Sequence, residues 1–142
     1  APEPPADTPA GASAVFQPDT PGLCTWNELN TDDPDGQLAF YTSLFGWQVN
    51  GEMPMPPGHV YRFIAAGEVA LGAIGSMKAP DAPTAWLPYF QVADIDAVIA
   101  AIPAHGGNII HGPSEVPGGD RMVIAIDPAG ALVGLVGPSV KE

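Results

Sequence analysis

The chain has 142 residues, 46% of them apolar and 14% charged, which suits one well-buried domain and is short for two ordinary ones. Its formal net charge is -12, and four scattered Lys and Arg cannot neutralise a run of phosphates, which makes nucleic acid a poor partner. The single cysteine, Cys24, excludes an intrachain disulfide and a thiolate metal cluster, and no apolar run approaches the ~20 residues of a membrane-spanning helix.

Residues 1–22 are rich in Pro and Ala, which denies them helix periodicity and strand pairing, so they read as a tail or arm. Within it Ala14, Val15 and Phe16 form an apolar knot, either a latch onto the domain or a neighbouring subunit, or part of a disordered leader. No basic region followed by an apolar core opens the chain, so a signal peptide is not expected and the cytoplasm is the default location. The chain does not begin with Met, which leaves room for a segment ahead of residue 1. The first basic residue is Arg62, and the acidity before it either favours a cationic small molecule or serves solubility alone.

From Cys24 to Thr31 the residues alternate, with Trp26, Glu28 and Asn30 on one strand face and Asn27, Leu29 and Thr31 on the other. Asp33 then caps a helix with Pro34 at its first position, Leu38, Tyr41, Leu44 and Phe45 form the stripe expected on the sheet, and Gly46 is the stop. Short strands follow at Trp47–Asn50, Val60–Ala65 and Val69–Ser76, with a Pro- and Met-rich loop expected over Gly51–His59. Lys78–Thr84 reads as a linker between modules.

The second half repeats the order. Leu87, Tyr89 and Gln91 share one face of a strand, Asp94 caps a helix carrying Ile95, Val98, Ile99 and Ile102, and Pro103 with Gly106-Gly107 ends it. Strands are predicted at Asn108–His111, Arg121–Ile126 and Ala131–Val136, with a loop at Pro113–Arg121 and a DPAG turn at Asp127–Gly130. Each half is therefore strand, helix, strand, strand, strand. A module at 23–77, the linker at 78–84 and a module at 85–137 make up one domain from residue 23 to 142.

The runs LNTDDPDGQLAFYTSLFGW, FQVADIDAVIAAIPAHGGNI and DPAGALVGLV, in that order, resemble the vicinal oxygen chelate superfamily of glyoxalases, bleomycin-resistance proteins and extradiol dioxygenases. The resemblance covers about residues 23 to 137 and is strongest to glyoxalase-like proteins. It implies an α+β fold of two βαβββ modules forming a curved mixed sheet around a concave site. In the family's metalloenzymes four side chains hold a divalent ion, and those positions are implied to be Trp26, Gly72, Leu87 and Gly134 here. None offers a metal-binding side chain, and shifting the register by one supplies no better set. No metal and no cofactor are therefore expected, and His59, His105 and His111 show no HxH or HxxxH spacing.

The expected lining is Trp26, Glu28 and Asn30 with Leu87, Tyr89 and Gln91, and with Gly72 and Gly134 leaving space where ligands would stand. Two rings, a carboxylate and two amides suit an aromatic or cationic organic molecule, or else the two rings fill the core with Glu28 bonded to Tyr89 or Asn30. Arg62 is expected to neutralise Glu28, to bind an anionic group, or to sit exposed on its strand. The functional expectation is a metal-free binding protein of the bleomycin-resistance type, of the kind that sequesters an antibiotic, and the family resemblance implies a homodimer. The alternative is an enzyme with Glu28 as acid/base, or one with an unrecognised metal site.

Overall fold

Two aspartates start the two helices where the sequence predicts. In α1 (Pro34–Phe45) the Asp33 carboxylate accepts from the Gly36 amide, and Gly46 ends the helix at φ 70°. In α2 (Ile95–Ala104) the Asp94 carboxylate accepts from the Asp96 and Ala97 amides, and Pro103 lies in the last turn before the cap at His105. The computed structural model describes residues 19–55, 58–78 and 81–140; the knot at Ala14–Phe16 and parts of the tail, the Pro-rich loop and the linker lie outside them.

The strands are β1 (Cys24–Asn30), β2 (Gln48–Met55), β3 (His59–Ala66) and β4 (Val69–Gly75), then β5 (Ala85–Gln91), β6 (Asn108–Glu115), β7 (Arg121–Ile126) and β8 (Leu132–Gly137). The chain is thus α+β, two βαβββ modules in succession. In the first module the strands lie in the order β2-β3-β4-β1, with β1 parallel to β4 and the other pairs antiparallel. The second module repeats this as β6-β7-β8-β5, with β5 parallel to β8. Contacts group the chain into two units, Trp26–Leu87 on one hand and Pro88–Glu142 with the segment ending at Thr25 on the other. The lead-in segment joins that second unit by backbone pairing: the Gly22 amide donates to the Gln91 carbonyl at 2.8 Å and the Gln91 amide to the Leu23 carbonyl at 3.0 Å.

In the unit Trp26–Leu87 the core is Leu29, Ile64 and Ile74, each at most 2% exposed, with Leu38 and Tyr41 of α1 and Trp47, Leu71 and Trp86 packed against it. Burying an aliphatic side chain of this size contributes about 1.5–3 kcal/mol. In the other unit Ile95 and Val123 are fully buried.

Three expectations change. Leu44 and Phe45 are 57% and 60% exposed rather than buried on the sheet: Phe45 stacks on Trp47 and Tyr41, and Trp47 and Trp86 pack on the Tyr41 ring. The Pro-rich segment is not a loop from Gly51: β2 continues to Met55, pairing Met53 with Tyr61 and Pro54 with Val60. Pro54 is tolerated since β2 lies at the end of its module's strand order, where an N–H on the outer side is not needed by a neighbour. Likewise β6 runs on through Pro113 to Glu115, taking the first residues of the expected loop, with register shifts between Ile109 and Ser114.

Candidate functional site

The period of two in β1 puts Leu29 in the core under α1 and Trp26, Glu28 and Asn30 on the opposite face. The same period in β3 sends Ile64 to the core and Tyr61 and Phe63 to the face of Glu28. Across the module the registers line up Phe63, Ala73 and Glu28 in one row, and Tyr61, Gly75 and Asn30 in the next. The middle strand β4 therefore carries only a methyl group and a hydrogen between a ring on β3 and a polar group on β1. Strands lie ~4.8 Å apart, so Tyr61 can lean over this gap and meet a side chain two strands away.

It does so. The Tyr61 hydroxyl donates to Glu28 Oε2 at 2.7 Å and accepts from the Trp26 indole N–H at 2.9 Å. The other carboxylate oxygen, Glu28 Oε1, accepts from Asn30 Nδ2 at 2.9 Å. All four side chains are partly buried, and Phe63 meets the Trp26 ring edge-on at 6.0 Å and the Tyr61 ring at 5.4 Å. The string Trp26, Tyr61, Glu28, Asn30 thus brings three expected site residues together through a fourth. Tyr61 and Phe63 were not among the expected site residues, although the alternation of HVYRFIAA and the small residues of VALGAIG carry the signal.

Arg62 does not neutralise Glu28. Alternation in β3 turns it away from Tyr61, and it forms ion pairs with Asp35 of α1 and with Glu52, its cross-strand partner, at 3.5 Å. The hydrogen bond to Asp35 raises its guanidinium above the ordinary value, partial burial opposes this, and the group stays charged at any accessible pH.

The two glycines are filled positions. A Cβ on Gly72 would lie 1.6 Å from the Asn27 carbonyl oxygen, so the glycine permits the close approach of β1 to β4. A Cβ on Gly134 would lie 2.4 Å from the Tyr89 ring, which occupies the volume that a side chain there would take. Space for a ligand was expected at both, and backbone and ring stand there instead. Leu87, Tyr89 and Gln91 are 8%, 4% and 5% exposed, alternating along β5 as the pattern predicts. Trp26, Gly72, Leu87 and Gly134 do not fit a divalent ion, since an indole, an isobutyl group and two hydrogens offer no donor set. Among the described residues no three His, Cys, Asp or Glu side chains converge. Of the histidines, His59 contacts Ser76 Oγ at 3.1 Å, and His105 caps α2.

Two modules of strand, helix and three strands, with a first strand parallel to the last in each, define a protein of the glyoxalase type. The chain belongs to the Glyoxalase/Bleomycin resistance protein/Dioxygenase superfamily, whose family model matches residues 24–135. It is 36% identical over 121 residues to CFP32 of Mycobacterium bovis, a candidate glyoxylase, covering 85% of this chain and 46% of that protein. It is 30% identical over 135 residues to the anthracycline biosynthesis protein DnrV of Streptomyces peucetius, covering 86% of this chain and 49% of that one. The chain thus spans about half the length of these relatives. Among solved structures, a variant of the methylmalonyl-CoA epimerase of Streptomyces coelicolor shares the fold, with a TM-score of 0.62 at 18% identity over 87% of this chain and 99% of that one.

Proposed function

We propose that the chain is a metal-free small-molecule-binding protein of the glyoxalase and bleomycin-resistance type, taking an aromatic or cationic organic ligand beside Trp26, Glu28 and Asn30. The observation that carries this reading is the hydrogen-bonded string from Trp26 through Tyr61 to Glu28 and Asn30 on the sheet face away from α1. The string satisfies both oxygens of Glu28 and leaves the buried Asn30 Oδ1 as the acceptor for which a ligand can supply the donor. The relative named for anthracycline biosynthesis makes planar polycyclic compounds the first probes.

The test is titration of the protein with a panel of aromatic natural products, anthracyclines among them, following Trp emission. Saturable quenching that weakens in Trp26→Phe supports the reading. An unchanged spectrum across the panel, with Trp26 substitutions altering stability alone, sinks it. We also propose that the protein is a cytoplasmic homodimer, as members of this superfamily often are. A monomer mass in sedimentation at all concentrations, or recovery outside the cytosolic fraction, removes the corresponding part.

A second reading is an enzyme of the superfamily with Glu28 as acid/base, favoured by the 2.7 Å contact that lets Tyr61 exchange a proton with it. The variant Glu28→Gln separates the two. It abolishes turnover of any substrate under the second reading, and under the first no turnover exists to lose.

A further inference from the structure

We propose that the side-chain carbonyl of Asn30, beside the Glu28 carboxylate, receives a protonated amine of the ligand. The inference rests on the binding reading above and names the chemical group that the site takes. Asn30 Oδ1 is buried and, among the described residues, accepts no hydrogen bond. An acceptor left so keeps the desolvation penalty of its burial, which the right donor removes.

The amide cannot satisfy this oxygen by turning over. Its Nδ2 is committed to Glu28 Oε1 at 2.9 Å, and a flip would set two acceptor oxygens against each other. Nor do the neighbours supply a donor, for the Trp26 N–H is spent on Tyr61 and the Tyr61 hydroxyl on Glu28. The cations of this unit are engaged elsewhere: Arg62 with Asp35 and Glu52, and Lys78 with Asp32 and the Ala82 carbonyl. The cluster is therefore rich in acceptors, short of donors and negatively charged at Glu28.

Three ligand groups can be ranked against that inventory. A carboxylate brings neither a donor nor the right charge. A neutral hydroxyl brings a donor only. A protonated amine brings three donors and the opposite charge, so one group meets both the Asn30 oxygen and the Glu28 carboxylate. Trp26 and Phe63 pack edge-on against each other on the same sheet face, ring centroids 6.0 Å apart, and this aromatic surface suits an aromatic bearer of that amine. Gly75 sits against the same oxygen: a Cβ there would lie 3.3 Å from Asn30 Oδ1 and 3.2 Å from Tyr61 Cδ1.

The experiment uses 1-naphthylmethylamine and 1-naphthalenemethanol, which present an ammonium group and a hydroxyl group on the same ring and methylene. Each is titrated at neutral pH into the ¹⁵N-labelled protein, following the Asn30 side-chain amide pair, which is assigned by its loss in Asn30→Leu. The amine is expected to bind about tenfold or more tighter than the alcohol and to shift that pair, since charge-assisted bonds exceed neutral ones. Asn30→Leu should bring the amine down to the affinity of the alcohol. Gly75→Ala, which keeps the amide and crowds its oxygen, should do so in part, and it decides the matter if the leucine variant does not fold. Equal binding of both probes, or an amine preference untouched by either variant, overturns the inference and leaves the binding reading standing. If neither naphthyl probe nor any member of the wider aromatic panel binds, both fall.

Discussion

Tyr61 is the residue that joins the string, because its oxygen is both acceptor for Trp26 and donor to Glu28. Tyr61→Phe keeps the ring and its edge contact with Phe63 while removing both bonds. Chemical denaturation should show a loss of about 1–3 kcal/mol, the cost of stripping two half-buried polar groups of one shared partner. A change within experimental error would mean that the string contributes nothing to folding. Trp26, Glu28 and Asn30 were legible in the sequence because strand period alone sorts a face. Tyr61 was not, because its partner depends on the register between β3, β4 and β1, and no local pattern encodes that. The glycines misled for a related reason: a missing side chain looks the same in sequence whether it opens a cavity or admits a neighbour's ring, as Gly134 admits Tyr89.

At the scale of elements, α1 rests on the sheet through Leu38 and Tyr41, and no residue of the helix is fully buried. Trp86 donates its indole N–H to the Tyr41 hydroxyl at 3.0 Å, and Trp47 stacks on the same ring at 5.6 Å, so aromatic contacts replace an aliphatic stripe. Leu44→Gln should therefore change stability by no more than about 0.5 kcal/mol, whereas Leu29→Ala should cost about 2–5 kcal/mol. Thermal melts of the two variants check the contrast, and a large loss in Leu44→Gln would show that the exposed end of α1 is covered in solution. Both helices were legible to the residue at their starts, since Asp caps act through bonds to the next few amides. Strand ends were not, because Pro54 in β2 and Pro113 in β6 are admitted by tertiary position, which propensity does not see.

For the whole molecule, membership of the superfamily sets the expectation of a metal, and the four positions implied for it argue the other way. Elemental analysis of purified protein should find no stoichiometric divalent ion, and stripping with chelator should leave the melting temperature unchanged. One equivalent of zinc, nickel, manganese or iron would overturn the metal-free reading and restore metalloenzyme chemistry as the leading function. The repeat of strand, helix and three strands was readable because both halves announce it with an Asp cap after an alternating strand. Among the described residues no helix is long and apolar enough to cross a membrane.

The pairing of Gly22 and Leu23 with Gln91 has a consequence for how the chain is made. The unit Trp26–Leu87 is continuous in sequence, so all its strands have left the ribosome before β5 is complete. The other unit is split, and the pairing of Gly22 and Leu23 with Gln91 forms only once the strand ending at Gln91 has emerged. That closure spans the whole first unit and is a high-contact-order step, which belongs late in folding. The residues synthesised among the first of the described chain are thus among the last to find their place.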